Sequence, residues 1–294
     1  MYKSNNFCDI LKFGEKTERV TAIIGSGGKT SLMMRLASEL AASGRTIVST
    51  STHIMRPEGI PAVRTLSEVS ACVEKVRISA GQAQGSCRRT DNDGPGGTEL
   101  WYYRDPAGGQ LRPSPVCIGT PTADGKLTTP VESFEELEKA ADYLLIEADG
   151  SKRLPLKCHA QHEPVIPENA GLVILVIGLS GIGKKVGEAV HRPEIFEELT
   201  GLSVSDTVTA KAAAEAVIKE LPVIMAAGTD SMDRTADETT GDGALGGTAR
   251  RFCVFINQTD TESDMDTARE LAAGLKGITC YAGSVREGSC ERLS

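Results

Sequence analysis

Seven apolar runs punctuate the chain: 20–24 (VTAII), 46–50 (TIVST), 116–118 (VCI), 143–147 (YLLIE), 172–177 (LVILVI), 222–226 (PVIMA) and 252–256 (FCVFI). They are continuous rather than alternating, the pattern of strands covered on both faces. Between them, helices are predicted over 29–43, 66–78, 133–141, 193–200, 208–220 and 262–275. The segment SFEEL, 133–137, begins with Ser133 and carries Glu136 three residues on, a capping box. Strand and helix in alternation predict an α/β fold with a doubly wound, mostly parallel sheet. Two stretches interrupt the alternation. Residues 81–115 are rich in Gly, Arg, Asp and Pro around Trp101-Tyr102-Tyr103 and suggest a β-hairpin excursion or a lid. Residues 228–249 have the composition of a long solvated loop. The expectation is one α/β domain over 1–294 with these two insertions.

The bulk composition narrows the function classes. The 294 residues are 40% hydrophobic and 24% charged, ordinary for a globular protein. A net charge of −8 argues against a nucleic-acid backbone or an anionic membrane as partner. The longest apolar run, LVILVI, falls far short of the ~20 residues of a membrane helix. The N-terminal MYKSNNFCDILKF has neither a sustained apolar core nor a cleavage site, so a cytoplasmic location is expected. The eight cysteines form no CxxC pair. Cys158 stands out because it lies between Lys157 and His159.

The first strand runs into Gly25-Ser26-Gly27-Gly28-Lys29-Thr30-Ser31. Glycines let backbone N–H groups approach an anion, and a helix starting there offers its unpaired N–H groups and dipole. A lysine and a hydroxyl then serve the outer phosphates and Mg²⁺. This is a short phosphate loop, so a P-loop NTPase-like fold is expected, with ATP or GTP and Mg²⁺ as cofactors. The backbone N–H groups of 26–30 would cradle oxygens, and Lys29 would neutralise the outer phosphates. Thr30 and Asp149 would hold the metal. In YLLIEADGS, 143–151, Glu147 and Asp149 would point to the same face of an extended strand. Glu147 would orient a water or a second ligand.

Downstream, SKRLPLKCHAQHEPVIP, 151–167, carries Lys152, Arg153, Lys157 and an HxxHE cluster of His159, His162 and Glu163. These residues could bind an anionic substrate, or the two imidazoles could share a metal. His53, at the end of the second strand, and Arg192, in HRPE beside His191, are further candidates for the same mouth. FCVFINQTD ends in Asn257-Gln258-x-Asp260. In GTPases an N-K-x-D at such a strand end reads guanine, so Asn257 and Asp260 are candidate base contacts, with Gln258 in place of the lysine.

Taken in order, GSGGKTSLM, TSTHI, DGKL, LLIEADGSKRLPLKCHAQHEPVIP, HRPE, TGL and NQTD resemble the YqeC-type family, the selenium-dependent hydroxylase accessory proteins. The resemblance implies a P-loop-like protein acting in selenium cofactor biosynthesis. Its implied partners are a selenium-dependent molybdenum hydroxylase or its maturation factors. The matching positions are Gly25 to Thr30, His53, Glu147, Asp149, Lys152, Lys157, His159, His162, Glu163 and Arg192. Three functions stay open: an Mg²⁺-dependent NTPase, a kinase- or ligase-like enzyme phosphorylating an anionic substrate, and a non-catalytic carrier holding metal or selenium through His159 and His162.

Overall fold

The computed structural model describes residues 6–13, 18–78, 97–104, 106, 110–228 and 250–294. Its centre is a nine-stranded sheet. In chain order the strands are β1 (Val20–Gly25), β2 (Thr46–Thr50), β3 (Ala62–Val63), β4 (Val116–Ile118), β5 (Tyr143–Glu147), β6 (Leu172–Gly178), β7 (Arg251–Asn257), β8 (Thr279–Ser284) and β9 (Ser289–Arg292). They lie in the order β9-β8-β7-β6-β1-β5-β2-β4-β3, and every neighbouring pair is parallel except β8 with β9. The chain therefore starts in the middle of the sheet and builds outward on both sides. The crevice beyond the carboxyl ends of β1, β5 and β6 is where such sheets bind ligands.

The continuous apolar runs have the two-sided burial they predicted. Ala22, Ile24, Leu144, Ile146, Leu175 and Ile256 belong to one core, shared with the helices Ala210–Ala226 and Glu262–Gly274. Ile23, Leu145, Ile174 and Phe255 point the other way, onto Leu32, Met33, Leu36 and Leu40 of the helix Lys29–Leu40. Each leucine, isoleucine, methionine or phenylalanine among them, taken fully out of water, contributes ~1.5–3 kcal/mol. The capping box at Ser133 forms as predicted and starts the helix Phe134–Ala140.

Three sequence expectations need correction. PVIMA, 222–226, is not a strand but the last turns of the helix Ala210–Ala226, with Pro222 inside it. Ile224 is buried while Val223 is half exposed, a one-sided pattern that a five-residue apolar run does not reveal. The helix expected over 66–78 stops at Cys72, and Glu74–Ile78 becomes a strand. Strands β8 and β9 were not predicted, because TCYAGS and SCER have no apolar run. Of the first insertion, Thr98–Tyr103 pairs antiparallel with Glu74–Ile78 and with Arg112–Pro113, the expected β excursion, and Trp101 buries itself in the core. Residues 81–96 and 229–249 lie outside the described residues. Among the described residues no helix is long and apolar enough to cross a membrane.

Candidate functional site

Strand β1 ends at Gly25, and after three intervening residues the helix Lys29–Leu40 begins. The intervening turn is pressed against its neighbours. Gly25 N–H donates to Asp149 Oδ2 at 2.7 Å, and Ser26 N–H donates to the Val176 carbonyl at 2.8 Å. Ser26 Oγ donates to the Leu154 carbonyl, and Asn257 Nδ2 donates to the Gly27 carbonyl at 2.8 Å. At Gly27, φ is +82°, and a Cβ there would lie 2.2 Å from Gly178 Cα. Gly27→Ala is therefore expected to lower unfolding stability by at least about 2 kcal/mol in urea titrations, from left-handed strain plus a backbone clash.

Helix Lys29–Leu40 has no side-chain cap. Among the described residues, the N–H groups of Gly27, Gly28, Lys29 and Thr30 meet no acceptor. Four free donors at the positive end of a 12-residue helix are the donor set that suits an anion. The Ser26 N–H, expected to join this cradle, is spent on Val176 instead.

Beneath the loop lies a charge cluster. Lys29 is 4% exposed. Its Nζ lies 3.0 Å from Asp149 Oδ1 and 3.7 Å from Glu147 Oε1, and it donates to the Gly25 carbonyl and, at 3.1 Å, to Ser151 Oγ. Asp149 is fully buried and also takes Lys157 Nζ at 3.3 Å and His159 Nε2 at 2.9 Å on Oδ2. The other face of His159 is held by Glu220, through Nδ1 at 3.3 Å and through the backbone N–H at 2.6 Å. Glu163 pairs with Lys157 at 2.7 Å and with Arg192 at 2.6 Å. Four cations (Lys29, Lys157, His159, Arg192) thus face four carboxylates (Glu147, Asp149, Glu163, Glu220), and the balance makes their burial tolerable.

The protonation states follow. Burial alone would raise the Asp149 pKa, but the His159 hydrogen bond and the charges of Lys29 and Lys157 outweigh it and hold the carboxyl well below its usual range. Burial alone would lower the His159 pKa, but Asp149 and Glu220 outweigh it and raise it, favouring the imidazolium. Glu147 moves up, because burial outweighs the help of Lys29 and Thr30.

The predicted site residues sort into three groups. Gly25 to Thr30, Glu147, Asp149 and Asn257 converge at the loop, and Ser31 lies exposed on the first helical turn. Thr30 Oγ1 donates to Glu147 Oε2 at 2.6 Å, so the carboxylate beside the hydroxyl is Glu147, not Asp149. Asp149 is fully buried and accepts from the Gly25 N–H, so it braces the loop. Lys157 and Arg192 are committed to carboxylates in the interior rather than offered to a substrate. Lys152 and Arg153 are exposed, beside the loop, at φ +48° and +62°. Such left-handed conformations cost ~1–3 kcal/mol each in non-glycine residues.

The third group does not join the site. His53 is exposed on a separate antiparallel sheet, in the strand His53–Met55 paired with Lys126–Thr128. His162 is exposed in a groove with Pro222 and Val223, while His159 is buried and both its nitrogens face carboxylates. The two histidines therefore do not share a ligand position, and among the described residues no group of three or more His, Cys, Asp or Glu side chains is placed to hold a metal. Cys158 is buried and its thiol pKa is pushed up, chiefly by that burial, so it is not a reactive thiolate. Asp260 accepts from Ser284 Oγ and pairs with Arg286 at 3.0 Å, while Asn257 Oδ1 accepts from the Val285 N–H.

Sequence reasoning missed Ser151, Gly178 and Glu220. Only Glu220 left a signal: it continues the buried stripe Ala213, Ala216, Val217, a charge at helical spacing on an apolar face.

Comparison with known proteins gives a consistent result. No solved structure matches the chain. The uncharacterized protein YqeC of Escherichia coli (strain K12) is 31% identical over 208 residues, which are 66% of this chain and 65% of that protein's length. The sequence model of the family described as YqeC protein matches residues 21–194, the segment that holds the glycine loop, Glu147, Asp149 and the 151–167 stretch. The chain belongs to the YqeC protein family.

Proposed function

We propose that this protein is an Mg²⁺-dependent nucleoside triphosphatase of P-loop type. The observation that carries the proposal is the Thr30–Glu147 pair, 2.6 Å apart beside four free N–H groups and Lys29. A hydroxyl and a carboxylate are hard oxygen donors, the set that suits Mg²⁺ when substrate phosphates and waters complete its shell. The donor set fits, and Thr30 and Glu147 would hold the ion. When bound, the metal neutralises charge on the phosphates.

The chain's own groups supply the rest. The N–H groups of 27–30 bind phosphate oxygens, and Lys29 leaves Asp149 to pair with an outer phosphate. Asp149 and Asn257 keep the loop in shape through Gly25 and Gly27. Phosphoryl transfer is largely positioning plus electrostatics, and the parts present are of that kind. The base contact is assigned to the 257–260 turn. Reading guanine would require Asp260 to exchange Ser284 or Arg286 for the base.

Thr30→Ala and Glu147→Gln test the assignment. Each is expected to reduce Mg²⁺-dependent nucleotide turnover by roughly 10²-fold or more, the loss typical of one removed electrostatic contact in an active site, measured on protein shown to be folded by urea titration. Turnover equal to wild type in Glu147→Gln contradicts the assignment. The resemblance to selenium-dependent hydroxylase accessory proteins supports a destination for the nucleotide cycle: maturation of a selenium-dependent molybdenum hydroxylase. Cells lacking this chain and complemented with Thr30→Ala would then yield hydroxylase without its selenium. Normal selenium content in that hydroxylase would exclude the role.

A further inference from the structure

The turn Ser151–Leu154 is latched to the glycine loop at both ends. Ser151 Oγ accepts from Lys29 Nζ at 3.1 Å, and the Leu154 carbonyl accepts from Ser26 Oγ. Between the latches, Lys152 and Arg153 are consecutive non-glycine residues in the left-handed region. L-amino acids avoid that conformation, and two in succession persist only where the surroundings enforce them. Both side chains are exposed, and among the described residues neither has an ion-pair or hydrogen-bond partner. The neighbouring cations Lys29, Lys157 and Arg192 are all neutralised by carboxylates. The fold therefore maintains a strained turn whose product is two uncompensated positive charges beside Lys29.

We infer that Lys152 and Arg153 read the third phosphate of the nucleotide, so that the site distinguishes triphosphate from diphosphate. This rests on the nucleotide-binding reading above. The free N–H groups of 27–30 suffice for the inner phosphates. Lys29 is the residue that reaches outward in a loop of this kind, and its resting partners include Ser151 beside Asp149 and the Gly25 carbonyl. A group drawn to Lys29 from the solvent side therefore meets the residues that follow Ser151. As Lys29 turns to that group it gives up Ser151, freeing one latch only when an outer phosphate is present. Arg153 offers a planar fork of donors to phosphate oxygens, and Lys152 a point charge.

The test measures the affinities of the Mg²⁺ complexes of a non-hydrolysable ATP analogue, the matching GTP analogue, ADP and GDP. The proteins are wild type, Lys152→Ala, Arg153→Ala, the double alanine variant and the double glycine variant. Wild type is expected to prefer triphosphate by at least about tenfold. In the double alanine variant the preference falls to within about twofold, with diphosphate affinity unchanged. The double glycine variant loses the preference too, yet melts at a higher temperature, because glycine relieves the left-handed strain. Variants that keep the wild-type preference would show the turn to be structural only, leaving the nucleotide site intact. Parallel loss of di- and triphosphate affinity would also overturn the inference. Wild-type protein that binds none of the four would instead overturn the nucleotide reading, and this inference with it.

Discussion

Alanine at position 29 is expected to abolish Mg²⁺–nucleotide binding and to lower unfolding stability by about 3–5 kcal/mol. The two effects have separate causes. Binding would be lost because, in the function proposed, Lys29 is the cation that turns to the outer phosphates. Stability is lost because the Lys29 side chain, 3% exposed, is the partner of both Asp149 and Glu147 in the resting protein. Removing one member of a buried ion cluster leaves the others uncompensated, which costs more than the pair contributes. The double variant Lys29→Met/Glu147→Gln should recover part of the stability, since it removes a carboxylate with its cation, but none of the binding. A double variant no more stable than Lys29→Met would mean that Glu147 does not couple to Lys29. Urea titration and calorimetry on the same samples separate the two readouts.

Asp149→Asn is expected to cost a similar ~3–5 kcal/mol, although asparagine keeps the shape and can still accept from the Gly25 N–H. The loss comes from charge. Lys29, Lys157 and His159 converge on this one carboxylate. The pH dependence identifies the cause. Asp149 titrates below its ordinary range in the folded state, so its stabilisation is present above the unfolded carboxylate value and is lost as pH falls through the folded value. His159 titrates above its ordinary range, so its stabilisation is complete below the unfolded imidazole value and is lost as pH rises through the folded value. Wild type should therefore hold both contributions in full only between about pH 4 and pH 6.5. Glu147, also raised because it is buried, instead favours folding while protonated, and that contribution is lost as pH rises above the unfolded carboxylate value. In Asp149→Asn the acid limb should flatten, and the His159 limb should move toward lower pH. Denaturation midpoints across pH 3–9 that keep the wild-type shape would rule out Asp149 as the centre of the cluster.

The glycine loop and the central strands could be read from the chain for a simple reason. Their signals are local: an apolar run, then glycines, then Lys29-Thr30 at the start of a helix. Glu147 and Asp149 were visible as acids at a strand end, but which of them meets Thr30 was not. Alternation put both on one face, and only the parallel register of β5 beside β1, Ile23 opposite Glu147, separates them. The partners of His159 were hidden for a similar reason, since Glu220 lies 61 residues away on another element. His159 and His162, three apart in sequence, looked like a pair. The chain between them turns, leaving one in the core and one on the surface. Strands β8 and β9 escaped because cysteine, glycine and serine carry little hydrophobic signal, even where the sheet buries them.

The most direct test of the account is calorimetric titration of Mg²⁺–ATP and Mg²⁺–GTP into wild-type protein and into Thr30→Ala, with and without a chelator. Wild type should bind at least one nucleotide in the micromolar range, about 8 kcal/mol of affinity, weakened tenfold or more by either the substitution or the chelator. Folded wild-type protein that binds neither nucleotide at millimolar concentration would contradict the account.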